Sequence, residues 1–152
     1  MSPAPHLRPV RRIRVYCPIG PSTVVAIASG GAQALGLDPV ARPLLDFIET
    51  CPECGDFGFY RGVAEVSIGV EAFTPGEGAT PTAGTVGERS YSATAAITTY
   101  VDADLARGRL AEILDGLAAR HPWEVPVIEV TVAELRIARR PLHAGASRSP
   151  AQ

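Results

Sequence analysis

The sequence predicts an α+β sandwich, in which helices cover one face of a four-stranded sheet. Some segments have apolar residues at every second position, as in strands, and others have them at helical spacing. Taken in chain order, these segments give βαββαβ. This order is typical of a ferredoxin-like domain. A chain of 152 residues can form one such domain with a buried core. We expect it to span residues 10–140, between disordered tails at residues 1–9 and 141–152.

The first half of the domain contains one strand and an enlarged crossover. The strand is predicted at residues 10–17, where apolar residues alternate with arginines. A helix begins with Pro-Ser-Thr at residues 21–37 and is interrupted by a Gly-Gly pair. A second short helix follows at residues 38–50, with Asp38 as its predicted N-cap. Residues 18–56 exceed what a crossover needs, and such additions are often lids or interface elements.

The second half of the domain supplies three strands and the clearest helix. The predicted elements are a long strand at residues 57–73, a Gly/Pro-rich loop at 74–88, a strand at 89–101, a helix at 102–121 and a strand at 125–135. Leucine and isoleucine recur at helical spacing in the helix, and Asp102 is its predicted N-cap.

Charge and hydropathy exclude two classes of partner. The chain has 14 Lys+Arg against 16 Asp+Glu, so it lacks the basic surface typical of nucleic-acid-binding proteins. No apolar run approaches the roughly 20 residues that cross a membrane. No secretion signal is recognised, so we expect a cytoplasmic protein in which the three cysteines are reduced.

Strand alternation places polar side chains on the face of the sheet that the helices leave open. The apolar side of the second strand, residues 64–72, is expected under the helices. Glu65, Glu71, Arg14 and Tyr100 are then expected on the open face. This face is either a solvated surface or subunit interface, or a polar cavity enclosed between subunits. Carboxylates in such a cavity can work as general acid or base, so these four are the candidate catalytic residues.

The segment "HPWEVP" at residues 121–126 allows two interpretations. In the first it is a stiff corner between helix and strand, with Trp123 as its anchor and His121 as a positive charge at the helix end. In the second, Cys17, His121 and Glu124 meet at one end of the sheet as a ligand-binding cluster beside Trp123. The second interpretation follows because the exit of the first strand lies beside the entrance of the fourth.

The Cys-Pro-Glu-Cys segment at residues 51–54 is a further candidate site. A structural zinc ion needs four ligands, usually as two close pairs, and only one pair is present. Cys17 is expected at the opposite end of the sheet, so a site built from all three thiols of one subunit is not expected. Cys51 and Cys54 could bind a metal between subunits, form a local disulfide on oxidation, or be structural.

Three segments carry a resemblance to a known family. "FGFY" at 57–60, "EAFTPGEGATPTAGTVGE" at 71–88 and "RHPWEVPVIEV" at 120–130 occur in order and at matching spacing. Together they resemble the small inserted domain of the Nif-three-like family of dinuclear-metal proteins. That domain reads roughly I-G-N-Y, then G-x-G-x-F-x-P-x-x-G-A-x-P-x-x-G-x-V-G, then H-P-Y-E-E-P. The chain is also similar to the CutA divalent-cation-tolerance proteins and, more distantly, to the PII signalling proteins.

The chain departs from the family pattern at several positions. Trp123 replaces a tyrosine, Phe59 replaces the asparagine, and Glu71 replaces the second glycine of G-x-G. The metal-binding halves that flank the inserted domain in the family have no counterpart here, so the dinuclear site is not carried over. The resemblance implies a ferredoxin-like fold, a homotrimer, and a small molecule or divalent cation as ligand.

Three functional classes follow from these observations. The first is a CutA/PII-like oligomer that binds a small molecule or cation at an inter-subunit polar site. The second is a small enzyme without a cofactor, such as a cyclase or isomerase of specialised metabolism, that uses the carboxylates of the open face. The third is an interaction module without chemistry.

Overall fold

The computed structural model describes residues 6–137. Within the predicted tails, residues 1–5 and 141–152 lie outside the described residues, whereas residues 8 and 9 belong to the first strand. The elements, in chain order, are β1 (Arg8–Pro18), α1 (Pro21–Ala28), a 3-10 helix (Ala32–Leu37), α2 (Ala41–Thr50), β2 (Glu65–Phe73), β3 (Ser90–Asp102), α3 (Arg107–Ala119) and β4 (Ile128–Leu135). No described helix is both long and apolar enough to span a bilayer.

The four strands form one sheet in the order β2-β3-β1-β4, and all neighbouring strands are antiparallel. The predicted ferredoxin-like α+β fold is therefore confirmed. β1 is central, with Val15 opposite both Ile97 of β3 and Ile128 of β4. The register fixes which side chains share a face, because directly opposed residues point the same way.

The core lies between the sheet and helices α2 and α3. Its fully buried side chains include Ile13, Val15, Cys17, Leu44, Ile48, Ile97, Ile113 and Leu117. The two helices approach closely at Gly116, where an added Cβ would lie 2.6 Å from the ring of Phe47. The absence of a side chain at this position allows the tight packing of α2 against α3.

The extra residues of the enlarged crossover precede, in the chain, the helix that packs against the sheet. The predicted helix over residues 21–37 is divided, because the chain turns at Gly30 with φ of 90° and continues as the 3-10 helix. α1 buries only Thr23, whereas α2 buries Ala41, Leu44 and Ile48. α2 is thus the crossover helix that packs against the sheet.

Asp38 holds the two parts of this crossover together. One carboxylate oxygen accepts the N–H groups of Val40 and Ala41 at 2.9 and 3.0 Å, as predicted for a cap of α2. The other accepts the N–H of Gly20 and the hydroxyl of Thr23 at 3.1 and 2.6 Å. Burial acts to raise the pKa of Asp38, but these four hydrogen bonds prevail and hold it below its ordinary value.

The predicted starts of four elements are too early: by three residues for α2 and β4, which begin at Ala41 and Ile128, and by more for β2 and α3. β2 begins at Glu65 rather than at residue 57, because the chain first forms a turn in which the N–H of Val63 donates to the carbonyl oxygen of Gly55. α3 begins at Arg107 rather than at residue 102. Asp102 is the last residue of β3, and its carboxylate accepts from Nε of Arg8 at 2.7 Å instead of capping the helix.

The apolar side of β2 is only partly covered, contrary to expectation. Ala64 and Val66 pack against the core. Ile68 and Val70 are 39% and 72% exposed, because β2 is an edge strand that extends beyond the helices. β4 is the other edge strand, and Val132 on its helix side is 81% exposed. Each edge strand of the sheet therefore presents apolar side chains to solvent.

Candidate functional site

Arg14 lies at the centre of one end of the open face. It stands opposite Thr98 of β3 and Glu129 of β4, and Thr98 in turn stands opposite Glu65 of β2. Nε of Arg14 donates to the hydroxyl oxygen of Thr98 at 3.1 Å. A hydrogen bond with Tyr16 raises the pKa of the Arg14 guanidinium above its ordinary value. Arg14 is therefore a fixed positive charge held by its neighbours.

The four predicted catalytic residues separate into two places. Tyr100 stands opposite Arg12, two register positions from the pair of Arg14 and Thr98, so Tyr100, Arg14 and Glu65 share one end of the open face. Glu71 lies near the other end of β2. Glu71 follows Glu65 by six positions, which is roughly 20 Å along a strand. The structure thus does not bring Glu71 to the other three.

Two adjoining clefts open on the Glu71 end of this face. The first has a volume of about 400 Å³ and is lined by Tyr16, Ser67, Ile68, Gly69, Val70, Glu71, Thr94, Ala96 and Val127. The second has a volume of about 330 Å³ and is lined by Pro18, Glu71, Phe73, Pro75, Ala79, Pro81, Thr82, Ala83, Ser92, Trp123, Glu124, Val125 and Val127. Both volumes are typical of small-molecule sites. Glu71 and Val127 line both clefts and form the boundary between them.

The second cleft is closed on one side by the loop at residues 74–88. The N–H of Thr80 donates to a carboxylate oxygen of Glu124 at 3.0 Å. The hydroxyl of Thr82 donates to the carbonyl oxygen of Pro122 at 3.2 Å. These bonds fasten the loop to the corner at residues 121–126. Two of the three segments that carry the family resemblance therefore build this cleft together.

Glu71 has an unsatisfied carboxylate oxygen. Within residues 6–137, buried side-chain polar atoms without a hydrogen-bond partner occur at Arg12 Nε, Thr131 Oγ1 and Glu71 Oε2. Of these residues, only Glu71 lines the two clefts. A buried polar atom without a partner is costly and often marks the position of a ligand or ordered water. Glu71 is therefore the central polar residue of the candidate site.

His121 is a structural residue of the corner. Its Nδ1 accepts the backbone N–H of Trp123 at 3.1 Å, so the ring proton lies on Nε2, which donates to the carbonyl oxygen of Tyr16. The ring is buried and neutral in this arrangement. The expectation that His121 serves as a positive charge at the helix end is therefore wrong, because Nδ1 is needed as an acceptor.

Trp123 lines the second cleft. Its ring centroid lies 5.0 Å from that of His121, and the residue is only partly buried. The corner is therefore held mainly by the imidazole of His121, while the indole forms a wall of the second cleft. Trp123 and Glu124, both predicted to bind ligand, lie in one cleft with Glu71.

The thiol of Cys17 lies in the hydrophobic core. The residue is fully buried among Val15, Ile97 and other apolar side chains. Burial, and to a smaller extent the charge of Asp38, raises the pKa of this thiol to about 12. The predicted cluster of Cys17, His121 and Glu124 does not form, since no three potential metal ligands converge within the described residues.

Cys51 and Cys54 also belong to the core. The Cys54 thiol donates to the sulfur of Cys51 at 2.9 Å, and both side chains are buried. Burial, followed by the hydrogen bond with Cys51, raises the pKa of Cys54. Glu53 between them accepts two hydrogen bonds from Arg109 of α3 at 2.8 and 3.0 Å, which lower the pKa of Glu53 to about 2. The described residues supply no third ligand for a metal at this pair.

Val127 is a cleft residue that sequence reasoning missed. Val127 shares the open face with Glu71. It precedes the first residue of β4, so the alternation of side chains along that strand does not include it. Phe73 and Ser92 were missed as well, and their place in the cleft depends on the β2–β3 register, which pairs Glu71 with Ser92. The alternation of β2 already puts Glu71 and Phe73 on one side and was the available signal.

Comparison with known proteins gives fold neighbours only. No protein-family model matches the chain, and no curated protein matches it. One similar solved structure is a Bacillus cereus protein related to NIF3, with a TM-score of 0.56 and 18% sequence identity over 86% of this chain. This chain spans 27% of that protein. Another is the periplasmic divalent cation tolerance protein CutA from Archaeoglobus fulgidus, with a TM-score of 0.40, 14% identity, and coverage of 90% of this chain and 86% of that one.

The likeness to the NIF3-related protein agrees with the resemblance carried by the three sequence segments. At this level of identity it shows a shared fold, and the fold is that of one part of a larger molecule. The chain is thus a ferredoxin-like domain whose ligand chemistry must be argued from its own clefts.

Proposed function

We propose that this chain is an oligomeric small-molecule-binding protein whose site is the pair of clefts that meet at Glu71. The observation that carries the proposal is the unsatisfied Oε2 atom of Glu71, buried at the boundary between two volumes of ligand size. This oxygen is covered in the free chain, and a rotation of the Glu71 side chain into either cleft would bring it to a hydrogen-bond donor on a bound molecule. The apolar walls and few polar groups are the usual composition of a small-molecule site.

The oligomeric part of the proposal is supported by the edges of the sheet. Val70 and Val132 expose apolar side chains on opposite edge strands, where unpaired backbone groups are also present. Contact with further copies of the chain would cover both. A homotrimer is the assembly that the sequence resemblance implies, and neighbouring subunits would then complete the site on the open face.

The experiment that tests the proposal is a ligand-observed NMR screen with matched variants. A set of small molecules of different charge is screened against the wild-type protein and against Val127→Trp, which fills the boundary of both clefts. Val25→Trp is the control, because Val25 is exposed on α1 and lines neither cleft. We expect ligands of the wild type to be lost in Val127→Trp and retained in Val25→Trp. Equal binding by all three proteins would refute the proposed site.

A further inference from the structure

We infer that the clefts take an organic cation, an amine carried on a compact apolar body. This inference rests on the proposed function and specifies the ligand of the same site. The two clefts are lined by Glu71 and Glu124, and by no arginine or histidine among the described residues. An anionic ligand, such as a nucleotide or a carboxylate, would meet negative charge there and no cation to hold it.

Two arginines of the open face, Arg12 and Arg14, have other partners. Nε of Arg14 donates to Thr98, and Arg12 lies 3.5 Å from a carboxylate oxygen of Glu129. Neither arginine forms an ion pair with Glu71 or Glu124 among the described residues. The negative charge of Glu71 therefore has no protein partner in this part of the chain, and its Oε2 atom lacks even a hydrogen bond.

An ammonium group supplies what this carboxylate lacks. It carries a positive charge and several N–H donors, and a charge-assisted hydrogen bond is stronger than a neutral one. A bare divalent cation fits less well, because even a four-coordinate zinc site uses about three protein ligands, and the described residues bring no three metal-ligating side chains together. The polar requirement of the site is therefore one compact cationic donor.

The walls of the second cleft fit the rest of such a molecule. Pro18, Phe73, Pro75 and Val127 provide apolar surface around Glu71. Trp123 adds an indole, the side chain whose face attracts cations most strongly. A volume of about 330 Å³ accommodates a single ring with a short aminoalkyl chain.

The test compares three probes that share a phenethyl group and differ in the charge of the polar group: phenethylamine, phenethyl alcohol and hydrocinnamate. Trp123 is the only tryptophan of the chain, so its fluorescence reports on occupancy of the cleft directly. We expect phenethylamine to bind about tenfold more tightly than the alcohol, and hydrocinnamate to bind most weakly. Glu71→Gln should reduce amine affinity to that of the alcohol and leave alcohol affinity unchanged. Glu49→Gln, an exposed change on α2, is the control and should alter neither.

The outcomes separate this inference from the proposed function. If the amine and the alcohol bind the wild type equally, the inference of a cationic ligand is wrong and the proposed binding site is still supported. The same holds if only neutral or anionic molecules bind in the NMR screen. If no molecule binds in either experiment, both are overturned. The wild-type comparison decides the inference even if Glu71→Gln does not fold.

Discussion

His121 fastens the corner between α3 and β4 to the carbonyl oxygen of Tyr16 in β1. The same ring accepts the N–H of Trp123, so one imidazole joins the end of the helix, the corner and the central strand. Both ring nitrogens are used within the protein. The imidazole is therefore a support for the wall of the second cleft and has no free atom for a ligand.

Replacement of His121 by alanine should destabilise the fold. The change leaves the Tyr16 carbonyl oxygen and the Trp123 N–H without their partner, which typically costs about 1–3 kcal/mol for buried groups. Trp123→Ala should cost less than the roughly 3–5 kcal/mol of a fully buried aromatic residue, because Trp123 is only partly buried. Urea denaturation of both variants measures these free energies of unfolding. A fully stable His121→Ala variant that has lost ligand binding would support the alternative functional cluster.

The elements that local pattern determines could be predicted from the sequence. Period-two and helical spacing suffice for the order βαββαβ, and the cap at Asp38 depends only on the residues that follow it. The starts of β2 and α3 depend on contacts between distant residues, such as the ion pair of Arg8 with Asp102. No local pattern contains that information, so both boundaries were misplaced.

The candidate site was predictable in its parts but not in its arrangement. Trp123, Glu124 and Glu71 are recognisable as candidates, yet their meeting depends on how the loop at residues 74–88 folds onto the corner. The position of Cys17 was available from the sequence. Cys17 follows Ile13 and Val15 at alternate positions of β1, so its side chain lies on the same side of the strand and faces the core.

Asp38 should make stability depend on pH. Its pKa is lowered in the folded protein, so the ionised carboxylate stabilises the fold above the unfolded pKa, and this contribution is lost as pH falls through the folded pKa. Asp38→Asn replaces one acceptor oxygen by a donor, so it cannot accept from all four present partners. We expect a loss of about 1–3 kcal/mol at neutral pH.

The difference between wild type and Asp38→Asn should narrow below about pH 4, where the unfolded carboxyl begins to be protonated. Urea denaturation over a series of pH values measures it. Asp115→Asn is the control, because Asp115 is exposed on α3 and should change stability little at any pH. The role assigned to the carboxylate would be contradicted if the difference in free energy of unfolding between wild type and Asp38→Asn stayed constant down to pH values below the folded pKa.

The three cysteines should be unreactive in the native protein. Burial raises the pKa of Cys17 to about 12 and also raises that of Cys54, so these two carry few thiolates at about pH 8. The side chain of Cys51 is buried as well and is thereby shielded from a reagent. We expect an aromatic disulfide reagent to label less than one thiol per native chain within minutes. After unfolding in guanidinium chloride it should label all three. Rapid native labelling of two thiols, abolished by Cys51→Ala with Cys54→Ala, would instead show an accessible pair fit for metal or redox chemistry.

Sedimentation velocity should show the proposed homotrimer at micromolar concentration. A charge placed at the exposed apolar edge of β4 should weaken assembly, so Val132→Asp is expected to shift the protein towards the monomer. Val25→Asp on α1 is the matched control and should remain assembled. A wild-type monomer would exclude the trimer, and an intact Val132→Asp trimer would place the interface elsewhere.

The central position of β1 also determines when the sheet can form during synthesis. Of the four strands of the sheet, β1 leaves the ribosome first, yet its two partners are β3 and β4, which are made after the other two. Val15 must wait for Ile97 on one side and for Ile128 on the other. Contacts between such distant residues form slowly, because a long segment of chain must be ordered before they add stability. Until residue 135 has emerged, the apolar side of β1 is without its complete set of neighbours and open to contact with chaperones or other nascent chains.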